Sequence, residues 1–135
     1  MKNIFFLLLA TVVLVSCGQD KSRVKAMEDE AIAIHDEVMP EMGTIIELKS
    51  QLMARMSAID TTQVDSLNAF QSQIDNLIMA EEGMKNWMHS YEVPDYNKSI
   101  EELEPKMIQQ LADIKEVREQ MKTAIADAKT LLGTE

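Results

Sequence analysis

Recurrence every seven residues constrains this chain more than any other feature. Val24, Ala31, Val38, Ile45, Leu52 and Ile59 follow one another at that spacing. Met27, Ile34 and Leu48 hold the companion position, which Glu41 and Arg55 interrupt. A helix turns once per 3.6 residues, so a seven-residue repeat keeps one stripe facing a neighbour along its whole length. A second row, Ile32, His35, Met39, Met42, Ile46, Met53 and Met56, runs beside the first. Two adjacent rows predict an apolar face broad enough to touch two neighbouring helices. Pro40 lacks a backbone N–H and predicts a kink within the run. The phase persists from Val38 to Ile45, so the expectation is one bent helix over about 22–59, not two separate ones.

Two more periodic runs follow. "DTTQVDS" (60–66) supplies turn and capping residues. Leu67, Phe70, Ile74, Leu77, Ile78, Met84, Met88 and Tyr91 then recur at helical spacing, until Pro94 forbids continuation. Asp95 or Ser99 can cap a third helix, and Ser99 with Glu102 fits a capping box. Its apolar positions are Ile100, Leu103, Met107, Leu111, Ile114, Val117, Met121, Ile125, Ala128 and Leu132, with Gly133 as the stop. No strand pattern, phosphate-binding glycine loop or Cys/His metal spacing is present. Short connections make successive helices antiparallel. The fold expected is therefore all-α: an elongated up-down-up three-helix bundle with coiled-coil-like packing. Its helices are expected at about 22–59, 64–91 and 96–132 of a single domain over 22–135.

The beginning of the chain carries a different signal. In "MKNIFFLLLATVVLVSCGQD", Lys2 precedes an apolar run from Ile4 to Val15. At about 12 residues the run is too short to span a bilayer, which takes roughly 20. Charge followed by a short apolar run is the order of a secretory signal. Leu14-Val15-Ser16-Cys17 resembles the bacterial lipobox. That resemblance implies a signal peptide over 1–16, cleavage before Cys17 and acylation of Cys17, with residues 17–21 as a lipidated tether. Cys17 is the single cysteine, so once acylated it leaves no thiol for a disulfide, a thiolate metal site or a nucleophile. Beyond the signal, 12 of the 13 Lys and Arg face 23 Asp and Glu. A balance this acidic argues against nucleic acid and against a basic membrane-binding patch.

Methionine is the unusual component, with 11 in the chain, ten of them beyond Cys17. If the chain folds back near 61–63 and near 94, Pro40, Gly43, Gly83 and Pro105 fall at one level. The same level holds His35, Met39, Met42, Met84, Trp87, Met88 and Met107. Met is flexible and fills irregular gaps, so the plain reading of this layer is core packed around bent helices. The sharper reading is a soft-metal site for a copper ion, because thioether and imidazole suit Cu(I). His35, Met39, Met42, Met84 and Met88 are its candidate ligands, and Trp87 is a candidate cover through a cation–π contact. The plain reading needs no cofactor.

The lipobox, "IHDEVMPEMGTI", "GMKNWMHSY" and the closing helix together resemble a family of small helical lipoproteins of Bacteroidota-type bacteria. Some members are named after viral A-type inclusion protein repeats, a name that reflects coiled-coil character. The most distinctive pieces are "HDEVMPEMG" and "MKNWMH". The resemblance implies an outer-membrane lipoprotein and carries no activity. After Cys17 only Asp20 is acidic before Lys21, which favours the periplasmic face. The sequence thus points to a lipid-anchored, non-enzymatic bundle of the cell envelope that meets another envelope protein, or a second copy of itself. The alternative is a periplasm-facing copper-binding lipoprotein.

Overall fold

The computed structural model describes residues 19–134; the expected signal peptide, Cys17 and the first residues of the tether lie outside them. Four helices follow in order: α1 Gln19–Val38, α2 Glu41–Ser57, α3 Val64–Ser90 and α4 Ile100–Leu132. Among the described residues the regular structure is all helical. No helix among them is long and apolar enough to cross a membrane.

The first long run is two helices, not the one bent helix expected over 22–59. Met39 and Pro40 form a turn between α1 and α2. Met39 N–H still reaches the His35 carbonyl at 2.8 Å, but Met42 and Gly43 N–H groups bond three residues back, to Met39 and Pro40. Pro40 has no N–H to continue the ladder, so the backbone tightens by one turn and restarts. The seven-residue phase nevertheless survives the break. Val24, Ala31, Val38, Ile45 and Leu52 are all buried. The break changes the neighbours instead: α1 packs mainly on α4, whereas α2 packs on both α3 and α4.

The second row does not face the bundle as expected. Ile32, Met39, Ile46 and Met53 are exposed, while Met42 and Met56 pack against the core and His35 stacks on the buried Trp87. α2 still meets both α3 and α4, with Met42 and Met56 packed beside its buried Ile45, Leu48 and Leu52.

Cross-helix bonds fix the directions. Trp87 Nε1 donates to the Gln110 carbonyl at 2.9 Å, and Gln73 Nε2 to the Ala124 carbonyl at 3.0 Å. Moving down α3 therefore means moving up α4, and the two are antiparallel. Glu30 pairs with Lys115 and Glu37 with Lys122, so α1 and α4 run the same way. The same pairs move one expected layer. Residue 83 lies beside Val117 and Gln120, not beside Pro105. The reason is the connection over 91–99, which is longer than a tight turn at Pro94 and delays α4 until Ile100. Ser99 is the N-cap as expected, but its side chain makes no capping bond. At the other end Gly133 adopts φ 72° and its N–H returns to Lys129 and Thr130 carbonyls, a left-handed stop that glycine tolerates without a Cβ clash.

One ion-pair node ties α2 to α3. Glu81, largely buried, accepts from Lys49 of α2 and from Lys85 one turn along α3. These two ammonium groups, Lys49 first, hold its carboxyl below the ordinary value. A depressed folded value means that the node is fully stabilising above the unfolded carboxylate range, about pH 4.3. Its contribution is lost as pH falls through the folded value. We therefore expect the urea midpoint to fall as pH drops below about 4.3. Glu81→Gln should lower the midpoint at pH 7 and make the acid limb shallower; an unchanged acid limb would refute the assignment.

Candidate functional site

The candidate layer is built at the junction of α1, the end of α3 and the connection that follows. His35 sits in the last turn of α1 and stacks on Trp87 of α3, ring centroids 5.6 Å apart and planes 27° apart. Trp87 in turn packs against Tyr91, centroids 4.9 Å apart. Spacing explains the second contact, since residues four apart share a helix side. The Trp87 indole is buried and its N–H is satisfied by the Gln110 carbonyl, which locks the ring across the α3–α4 interface. With its side-chain amide assigned the orientation that satisfies both ends, Gln110 also brackets the backbone of Glu92, donating to its carbonyl at 3.2 Å and accepting from its N–H at 2.9 Å. One residue of α4 thereby holds both the tryptophan and the start of the connection.

A shallow cavity of about 240 Å³ opens beside this stack, lined by Ile32, His35, Trp87, Met88 and Tyr91. His35 Nδ1 lies 3.0 Å from the Asp36 carboxylate. Of the six residues singled out in the sequence, the cavity brings together His35, Trp87 and Met88. Met84 is wholly buried in the core, Met42 packs on the core, and Met39 lies exposed at the α1–α2 turn. None of these three methionines lines the cavity. Residues 84 and 88 are four apart, but four residues advance a helix by about 400°, leaving the second side chain rotated by about 40°. At the edge of a packed face that rotation separates a core sulfur from one open to water. Among the described residues, no three His, Cys, Asp or Glu are placed to hold a metal ion.

Spacing gave no hint of a second polar node nearby. Glu28, one of many carboxylates in "MEDEAIAIHDE", is buried. It accepts from the Tyr96 hydroxyl at 2.7 Å and from Lys25 at 3.0 Å. Lys21 reaches over to the Tyr96 carbonyl at 2.9 Å. Burial, then the hydrogen bond to Glu28, pushes the Tyr96 phenol up to about 12. The 91–99 connection is thus strapped to α1 by the Tyr96 phenol on Glu28 and by Lys21 on the Tyr96 carbonyl. The one available signal was Tyr96 itself, an aromatic residue in the otherwise polar "PDYNKS". Tyr91 also buries its hydroxyl in this region, with no partner for it among the described residues.

Chemically, the arrangement offers a packed aromatic stack with one imidazole and one thioether at its rim. Comparison with family models, with curated proteins and with solved structures returns no match to this chain.

Three substitutions test the placement. Met84→Ala should cost about 2–5 kcal/mol of unfolding free energy, the range for emptying a filled core site. Met88→Ala, at a side chain open to water, should stay within about 1 kcal/mol. Trp87→Phe keeps the ring but removes the N–H to Gln110, and should cost about 1 kcal/mol plus the packing difference. Urea unfolding followed by far-UV circular dichroism reads all three.

Proposed function

We propose that the chain is a lipid-anchored, non-enzymatic bundle of the cell envelope, an up-down-up rod that serves as a spacer or docking surface. The observation that carries this reading is Leu14-Val15-Ser16-Cys17 at the end of a short apolar run, two residues before Gln19, where α1 begins. An acyl group on Cys17 is then two residues in sequence from the first residue of α1. Acyl chains anchor through burial of their methylenes, about 0.8 kcal/mol each, and two or more chains hold stably.

The end of the bundle nearest that anchor is the more heavily tied one. Lys21 holds Tyr96, and Arg23 pairs with Glu104 at 2.8 Å, so α1, the 91–99 connection and the start of α4 are joined within a few residues of the lipid. A pull on the anchor is therefore spread over two helices. The opposite end holds the 58–63 turn and the close of α4, where Thr134 lines a depression with Gln51 and Arg55. At about 1.5 Å per residue, the 33 residues of α4 make a rod of about 50 Å. In the lipoprotein reading that length sets how far the distal end stands from the outer membrane, within the periplasm.

The test is acylation. Cells expressing the full chain and fed an alkyne-tagged palmitate should label it and recover it with membranes. Cys17→Ser should abolish the label and release at least nine-tenths of the chain from the membrane pellet. Label that survives Cys17→Ser sinks the anchor.

A further inference from the structure

The three seams of the bundle differ in charge. Ion pairs cross two of them: Glu30 and Glu37 of α1 meet Lys115 and Lys122 of α4, and Glu81 of α3 meets Lys49 of α2. The α3–α4 seam has, among the described residues, one pair at its end, Lys106 with Glu92 of the connection. α4 sorts its charges accordingly. At about 100° per residue, Lys115, Arg118, Lys122 and Lys129 fall within about 60° of one another, on the flank that meets α1. Asp113, Glu116 and Asp127 fall within a similar arc, about 150° further round the helix.

That acidic flank is one lip of an open groove between α3 and α4. Asp127 lines a stretch of about 390 Å³ with Asn76, Met79 and Ala80. Asp113 lines a second stretch of about 260 Å³ with Ser90 and Gln110. Among the described residues, Asp113 and Glu116 accept from amides of their own helix and from no cation: Gln109 at 2.7 Å and Gln120 at 3.1 Å. The residues that α3 contributes are uncharged, and beyond Lys106 no Lys or Arg lines either stretch. Ala80 and Ala124 keep the floor low enough for another backbone to approach. Gln73 spends its amide N–H on the Ala124 carbonyl there, and its side-chain oxygen accepts no bond among the described residues. Met79, 66% exposed, adds a flexible apolar side chain at the rim. The groove thus offers acceptors and apolar contact and lacks cations of its own.

We infer that this groove receives a helix of another protein, one with Lys or Arg along one flank and small apolar residues beside them. The inference rests on the docking-surface reading above and names the chemistry of the partner. From Asn76 to Ser90 the groove runs about 21 Å, four turns of helix. A helix laid there meets both α3 and α4, with its cationic flank over Asp113, Glu116 and Asp127. A second copy does not supply that flank, because the basic side of α4 is engaged by Glu30 and Glu37. Nucleic acid and anionic lipid are repelled by the same carboxylates. A contact of this length belongs to the weak, reversible class.

Fluorescence anisotropy tests it, using the full chain in non-ionic detergent and labelled Ala-rich helical peptides of about 18 residues. One peptide carries four Lys on a single flank, a second spreads the same Lys around all sides, and a third has Glu in their place. The one-flank Lys peptide should bind with Kd of about 10–100 μM, at least fivefold tighter than either of the others. Asp113→Lys, Glu116→Lys and Asp127→Lys together should weaken it at least tenfold. Asp36→Lys, Glu47→Lys and Asp65→Lys make the same change of net charge at exposed positions outside the groove, and should weaken it less than threefold. If the groove triple loses helical circular dichroism, Asp113→Asn, Glu116→Gln and Asp127→Asn replace it, with at least a fivefold loss expected. Equal losses from the groove and outside sets mean attraction to overall charge and overturn the inference. So does equal affinity for the one-flank and all-round peptides, or no binding at about 1 mM. Cys17→Ser should bind the peptide unchanged, so a failed anchor leaves the groove result standing and a failed titration leaves the anchor standing.

Discussion

The buried stripe of α4 is the interaction on which the rest of the molecule depends. Leu103, Met107, Leu111, Ile114, Val117, Met121, Ala124, Ile125, Ala128 and Leu132 form a continuous apolar line down its length. Every other helix packs against it. Burial of apolar surface is the main favourable term available to a chain whose one cysteine lies before the bundle and which has few aromatic residues. Small residues at Ala124 and Ala128 let α3 approach closely, and the buried Gln73 uses that approach to reach the Ala124 carbonyl. Breadth of contact also explains why Pro105 is tolerated within α4: it falls in the second turn, where only one intrahelical bond is forfeited.

Polar groups decide alignment more than stability. Glu81 between two lysines, Glu28 between Tyr96 and Lys25, and Trp87 against Gln110 each join different elements at one level. An apolar stripe alone allows helices to slide by one heptad, because the next turn offers a similar surface. A buried carboxylate that finds its partner at one offset removes that freedom, since leaving it unpaired in the slipped arrangement costs more than the slip recovers. Most of the remaining ion pairs lie in the open and contribute little individually.

The methionine layer is better understood as packing around an interrupted helix than as a single site. Pro40 ends α1, the backbone tightens for one turn, and the interior beside it is filled by flexible thioethers at Met42 and Met84. His35 and Met88 reach the surface of the same region next to the Trp87 stack. The stack is held from α4 through Gln110.

Period and composition made a great deal legible. The helical class, the burial of the row from Val24 to Leu52, the α4 stripe and the stop at Gly133 all follow from local rules: a repeat near seven residues, and glycine where φ is positive. Those rules act within one segment and so can be read along it. Rotation of a side row toward core or solvent cannot, because it depends on how many neighbours arrive and at what offset. Ile46 and Met53 read as core and are exposed, while the carboxylate of Glu28 is buried. The pivot between α3 and α4 moved because the 91–99 connection is longer than a tight turn, and with it Gly83 came to face Val117 and not Pro105. The sequence by itself determined which residues are apolar, how often they recur and where the helices stop. Only the tertiary structure decided which rows face each other, because that is settled by the joint packing of four helices against a finite interior.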